Sequence, residues 1–116
     1  MAIKWFTPKQ WHFRNNQKRK NKKKGMHPAL VVGESNGMFA NLGLTHADKR
    51  GHHKNLLLSR NPKKGDIQPA YLRNDLQLHS KEQMKQKLPD FKLSSKDIPK
   101  VQAIINKHKK KIASRR

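Results

Sequence analysis

Three histidines, an arginine, an aspartate and a threonine fall within ten residues, Thr45-His46-Ala47-Asp48-Lys49-Arg50-Gly51-His52-His53-Lys54. Metal-independent cleavage of RNA needs a base for the 2'-hydroxyl proton, an acid for the leaving oxygen and a cation for the phosphorane. His46, His52 or His53 with Arg50 are of the right types, and Thr45 stands beside them. The same stretch also reads as a solvated hairpin loop whose basic residues Lys49, Arg50 and Lys54 touch phosphate. Closeness in sequence is not a geometry, so the loop reading ranks first. His46, Asp48 and His52 or His53 make a thin metal set, because nothing marks a fourth ligand or the groups that would orient the first three. No metal and no cofactor are expected.

The second source of chemistry is charge. The 116 residues hold 28 Lys and Arg against 7 Asp and Glu, a formal net charge of +21. Residues 1–27 carry nine of these cations and no acid, and residues 81–116 carry twelve against three acids. Solubility alone does not require cations piled on both flanks, where their repulsion opposes compaction. An extended polyanion is the natural partner. Arg14, Lys18, Arg19, Lys20, Lys22, Lys23 and Lys24 form the densest candidates for phosphate contact, with Trp5, Trp11 and Phe13 near them. Arg60, Lys63, Lys64 and Arg73 join them from strand ends. Lys107 to Lys111 read as an electrostatic patch at a helix end.

Composition narrows the rest. With no Cys there is neither a disulfide framework nor thiol chemistry. The apolar runs Ala29 to Val32 and Leu56 to Leu58 are too short for a signal segment or a span, so no membrane partner and a cytoplasmic location are expected.

These side chains need elements to hold them. Thr7 with Gln10, and Pro8 at the first helical position, predict a helix from about Pro8 into the lysine run. Ala29 to Val32, then Gly33-Glu34-Ser35-Asn36-Gly37, then alternating Met38, Ala40, Leu42 and Leu44 predict a hairpin turning at Asn36-Gly37. Asn55 to Leu58, Ala70 to Arg73 and Leu76 to His79 add strands. Ser80 with Gln83 predicts a helix ending at Pro89, and Ser94 or Ser95 caps a last helix with the stripe Ile98, Val101, Ile105 and Ile112. The expectation is an α+β domain with a small curved barrel of four to five strands over residues 28–80. A basic helix or arm (1–27) precedes it, and C-terminal helices (81–116) pack on it.

The block His27-Pro28-Ala29-Leu30-Val31-Val32, a Gly-containing turn, and Asn41-Leu42-Gly43-Leu44-Thr45 resembles the PemK/MazF-like plasmid-maintenance toxin barrel, over about residues 25 to 80. The resemblance implies a small curved barrel that cuts single-stranded RNA without metal, or that binds nucleic acid and cognate proteins. Thr45 matches the family's strand-end Thr, and His27 stands where the family usually has Arg. Binding therefore leads: a nucleic-acid-binding protein of a bacterial mobile element or phage, working by phosphate contacts to DNA or RNA. Two alternatives stay open. One is an endoribonuclease toxin with an acidic protein partner. The other is a mobile-element inhibitor or adaptor on a host protein–nucleic-acid complex.

Overall fold

A computed structural model describes residues 2–16, 27–84 and 86–114, with the side chains of Arg50, Ala113 and Ser114 left aside. It is an α+β fold: a mostly antiparallel sheet with one C-terminal helix among the described residues. Two long strands form its centre, β3 (Pro28–Ser35) and β4 (Met38–Thr45). They are joined through Asn36 (φ 43°) and Gly37 (φ 78°), both left-handed, so Ser35 pairs with Met38 across a two-residue turn.

Each central strand is flanked on its outer edge by two short strands placed end to end. Beside β3 lie β1 (Lys4–Trp5) and β2 (His12–Asn15). Beside β4 lie β8 (Tyr71–Leu72) and β9 (Gln77–Ser80), so the break between those two is a turn over residues 73–76. The edges are β7 (Leu56–Leu57) on β8 and β10 (Gln86–Lys87) on β2. β5 (Lys49–Arg50) and β6 (His53–Lys54) form a separate two-stranded ribbon. The sheet path runs β10-β2-β3-β4-β8-β7 and does not close. The expected barrel is therefore replaced by an open sheet, whose two short edge strands reach only their inner neighbours.

One sheet face is apolar. Phe13, Leu30, Val32, Ala40, Leu42 and Leu72 pack there against Val101, Ile104 and Ile105 of α1 (Ile98–Ser114). Ile112, expected in the same stripe, is exposed. The 3-10 turn Ser95–Asp97 leads into α1, and Ser94 caps that turn by accepting the Lys96 N–H at 3.3 Å.

Two expected helices are absent among the described residues. Thr7 and Gln10 do bond, with the Thr7 N–H donating to Gln10 Oε1 at 2.9 Å, but only the 3-10 turn Pro8–Gln10 forms. Trp11 then turns extended, and β2 buries Phe13 in the core while pairing with both β3 and β10. A cap contributes about 1 kcal/mol. Burying a phenylalanine contributes roughly 1.5–3 kcal/mol and the ladder bonds add to it, so tertiary pairing wins. After Ser80 the same contest recurs: Ser80 Oγ accepts the Gln83 N–H at 3.1 Å, one turn forms, Met84 buries completely and the chain continues as β10.

Candidate nucleic-acid interface

The clearest assembly of charge is a groove of about 480 Å³ shared by three chain segments. The ribbon supplies His52, His53 and Lys54, the β8–β9 turn supplies Arg73, Asn74 and Asp75, and α1 supplies Lys107, His108 and Lys111.

Each wall is fixed by local bonds. Asn55 closes the base of the ribbon, its N–H donating to the Asp48 carbonyl at 2.9 Å and its Nδ2 to the Ala47 carbonyl at 3.0 Å. Gly51, with φ at 60°, turns the ribbon's tip. Arg73 lies flat on β4, because a side chain at Gly43 would meet the Arg73 Cδ at 3.1 Å; the missing Cβ makes the bed for its stem. The guanidinium then grips Asp75 with two bonds, Nε to Oδ1 at 3.1 Å and Nη2 to Oδ2 at 2.8 Å. Burial raises the Asp75 carboxyl's pKa, but the Arg73 bonds and charge, with a bond from Gln77, outweigh it and hold the group below the ordinary aspartate value. Among the described residues, the one side-chain carboxylate lining the groove is thus paired with a cation.

His108 fastens α1 to this turn. Its Nε2 lies 3.3 Å from the Leu76 N–H, which donates to it in one tautomer, and 3.2 Å from the Asn74 carbonyl, which accepts from it in the other. Lys54, Lys107 and Lys111 also line the groove, with the exposed imidazoles of His52 and His53.

The loop candidates are divided by this geometry. His52 and His53 enter the groove, whereas His46 Nδ1 bonds the Pro69 carbonyl at 3.0 Å and Thr45 Oγ1 accepts the Ala47 N–H at 3.1 Å. Lys49 is exposed and pairs with Lys54 across the ribbon, and the Arg50 backbone pairs with His53. Among the described residues no group of three or more His, Asp or Glu could hold a metal ion. His46, Asp48 and His52 or His53, the thin set weighed from the sequence, form no such group among them.

Arg60, Lys63 and Lys64 line a second cleft, between residues 59–69 and 89–95. That loop is cross-braced: Asn61 Nδ2 donates to the Gln68 carbonyl at 2.9 Å, and Asp66 Oδ1 accepts the Gln68 N–H at 2.9 Å.

Arg14 has a structural post. Its guanidinium carbon stands 4.7 Å from the Phe39 ring centre, and its Nε donates to His12 Nε2 at 3.0 Å. Lys18, Arg19, Lys20, Lys22, Lys23 and Lys24 lie outside the described residues. They belong to the connection from β2 to β3, whose last rung is the Asn16 N–H to the His27 carbonyl at 2.8 Å. Asn55 and Asp75 lie in no charge run or recognisable motif, and His108 sits inside the Lys107 to Lys111 run, where the lysines alone carry the sequence signal.

Comparison with protein-family models, with curated proteins and with solved structures gives no match. Among the described residues, no helix is long and apolar enough to cross a membrane.

Proposed function

We propose that this chain is a nucleic-acid-binding protein that grips the phosphate backbone in the groove between the ribbon and the end of α1. One observation carries the reading: Lys54, Lys107 and Lys111 from two distant segments converge on a groove whose lining carboxylate is bonded by Arg73. A phosphate entering there meets cations on both walls and, among the described residues, no unpaired side-chain carboxylate. The cation-rich connection from residue 17 to residue 26 adds to the same electrostatic term from another part of the sequence. Phosphate contacts alone give affinity without base preference, which suits a groove whose lining, among the described residues, holds no Phe, Tyr or Trp. A cytoplasmic, nucleic-acid-associated location follows from this reading.

The test is binding to DNA and RNA at several salt concentrations. Changing Lys54, Lys107 and Lys111 to Gln should lower the slope of log K against log salt by up to ~3 for duplex DNA, at ~0.9 per phosphate contact. An unchanged slope in the triple variant would remove the groove from the interface.

A second reading is favoured by one feature, the presence of three imidazoles, His52, His53 and His108, among those cations. That set fits the endoribonuclease activity implied by the barrel-toxin likeness. Discrete cuts in a long RNA held in EDTA, lost in His52→Ala or His53→Ala, would promote it over binding alone.

A further inference from the structure

The β5–β6 ribbon is the part of this fold that packing explains least. Lys49, Arg50, His52, His53 and Lys54 surround Gly51, so the ribbon carries no apolar side chain. Its two rungs, Lys49 opposite Lys54 and Arg50 opposite His53, form a sheet of their own. Like charges facing each other across a rung destabilise it, and a lone two-stranded hairpin is marginal in water even with apolar pairs. What holds this one is its root. Asn55 grips the carbonyls of Asp48 and Ala47 at 2.9 and 3.0 Å, and His46 Nδ1 bonds the Pro69 carbonyl at 3.0 Å. Gly51, at φ 60°, then lets the chain reverse in two residues. Lys49, His52, His53 and Lys54 are all exposed, and Asp48, the nearest acid in the chain, precedes the first rung. The result is an arm clamped at its root, with cations that repel one another until anions come between them.

The arm's dimensions select among polyanions. Paired strands lie ~4.8 Å apart, and the two to three residues from Lys49 to the tip, at ~3.3 Å each, give a reach of ~7–10 Å. The major groove of B-form DNA is ~12 Å wide and ~8.5 Å deep, and it admits a two-stranded ribbon. The A-form groove of an RNA duplex is deep and too narrow to take one. A single strand is held chiefly by stacking its bases on aromatic rings. The ribbon has no Phe, Tyr or Trp, and neither, among the described residues, does the groove it borders.

We propose that the ribbon enters the major groove of double-stranded DNA, and that the cleft beside it seats one of the two phosphate backbones bounding that groove. The inference rests on the reading in the preceding section and adds a substrate class to it, the B-form duplex, and the side from which that duplex is approached. His52, His53 and Lys54 form the ribbon wall of the cleft and Lys107 stands on its helix wall, so a backbone lying between them flanks the ribbon. Lys49 is outside the cleft lining, on the other strand of the ribbon. Its charge therefore serves the inserted arm rather than the cleft. The repulsion between Lys49 and Lys54, a cost in the free protein, is relieved once phosphates stand on either side of the arm.

The experiment measures, by fluorescence anisotropy at fixed salt, the binding of four ligands of one sequence. They are a short DNA duplex, the same duplex with every cytosine replaced by glucosylated 5-hydroxymethylcytosine, the RNA duplex and the single-stranded DNA. Glucosylation fills the major groove and leaves the phosphate charge unchanged, so a protein that only grips backbone treats both DNA duplexes alike. The plain duplex should bind about tenfold more tightly than each of the other three, the scale of one good major-groove contact. Lys49→Glu completes the test. The site is exposed and the new carboxylate faces Lys54 across the ribbon, so the melting temperature should not fall. The variant should bring the plain duplex down to the affinity of the glucosylated one. The inference fails if plain and glucosylated DNA bind alike, if the RNA duplex or the single strand binds as tightly as the plain duplex, or if Lys49→Glu keeps the preference for the open groove. Any of those results, with a salt slope that still falls when Lys54, Lys107 and Lys111 are changed to Gln, leaves the preceding reading standing. Absence of binding to all four ligands overturns both.

Discussion

The two faces of the sheet are built on opposite principles. Towards α1, the face is apolar: Phe13, Leu30, Leu42 and Leu72 share one buried cluster with Val101, Ile104 and Ile105. The other face buries Ala29, Val31, Phe39 and Met84 beside hydrogen-bonding groups. Asn41 is 1% exposed, yet its Nδ2 lies 3.1 Å from the carbonyls of Phe39 and Gln77 and 3.0 Å from His79 Nδ1. Asn16, 4% exposed, accepts from Gln83 Nε2 at 2.9 Å. Arg14 and Lys81 stand over the Phe39 ring. The apolar face holds by volume and tolerates reshaping. The polar face holds by matched donors and acceptors, where removing one partner strands the others.

The sharpest way to break this contrast is a charge on the apolar face. Leu42 is fully buried, so Leu42→Asp loses its packing and buries a carboxylate with no partner. Loss of the folded state is expected, by more than the ~2–5 kcal/mol of Leu42→Ala. Near-wild-type denaturant midpoints for the Asp variant would mean that the face under α1 is not the main core.

On the polar face, Asn41→Leu keeps the volume and deletes the amide. The carbonyls of Phe39 and Gln77 then lose a donor in a place water reaches poorly, so we expect ~1–3 kcal/mol of destabilisation despite added apolar surface. A stabilised variant would show that the polar network contributes no stability and that the two faces are alike. Chemical denaturation followed by tryptophan fluorescence reads both substitutions on one scale.

The contrast also explains what could be read from the residue order. The Asn36-Gly37 turn, the paired long strands around it and α1 are local patterns: a two-residue turn chemistry, an apolar run and a helical stripe. Their signals sit within a few residues of one another. The strands β2 and β10 carry helix-start signals instead, and become strands because Phe13 and Met84 have somewhere to go only once β3 exists. Arg14 is a candidate phosphate ligand from its place ahead of a lysine run, and the structure sets it over Phe39 and beside His12 on the polar face, surroundings that residue order does not reveal. The groove was legible only in pieces. Lys54, Arg73 and the patch from Lys107 to Lys111 were visible as separate cations. Their meeting depends on β8 and β9 splitting beside β4 and on His108 fastening the helix end there.

The smallest expected effect tests the polar face by titration. His12 stacks on Phe6 with ring centres 6.3 Å apart and meets Phe39 edge-on at 6.2 Å. Its Nε2 accepts from Arg14, so Nδ1 carries the proton that bonds the Gln10 carbonyl at 3.0 Å. Burial, the largest influence, pushes the His12 pKa below the ordinary value; the Gln10 bond opposes it, and the charges of Arg14 and Lys87 add to it. A second proton would land on the nitrogen that Arg14 already occupies. The unfolded chain therefore takes up a proton near pH ~6.5 more readily than the native one. The stabilising contribution of neutral His12 is present above that pH and is lost as the pH falls through it towards the folded value. The melting temperature should drop between pH ~7.5 and ~5.5, and His12→Phe, which keeps a ring between Phe6 and Phe39, should show a shallower drop than wild type. Equal slopes would mean that His12 takes its proton on this face without cost, and that the hydrogen bonds there are less exacting than the buried amide of Asn41 implies.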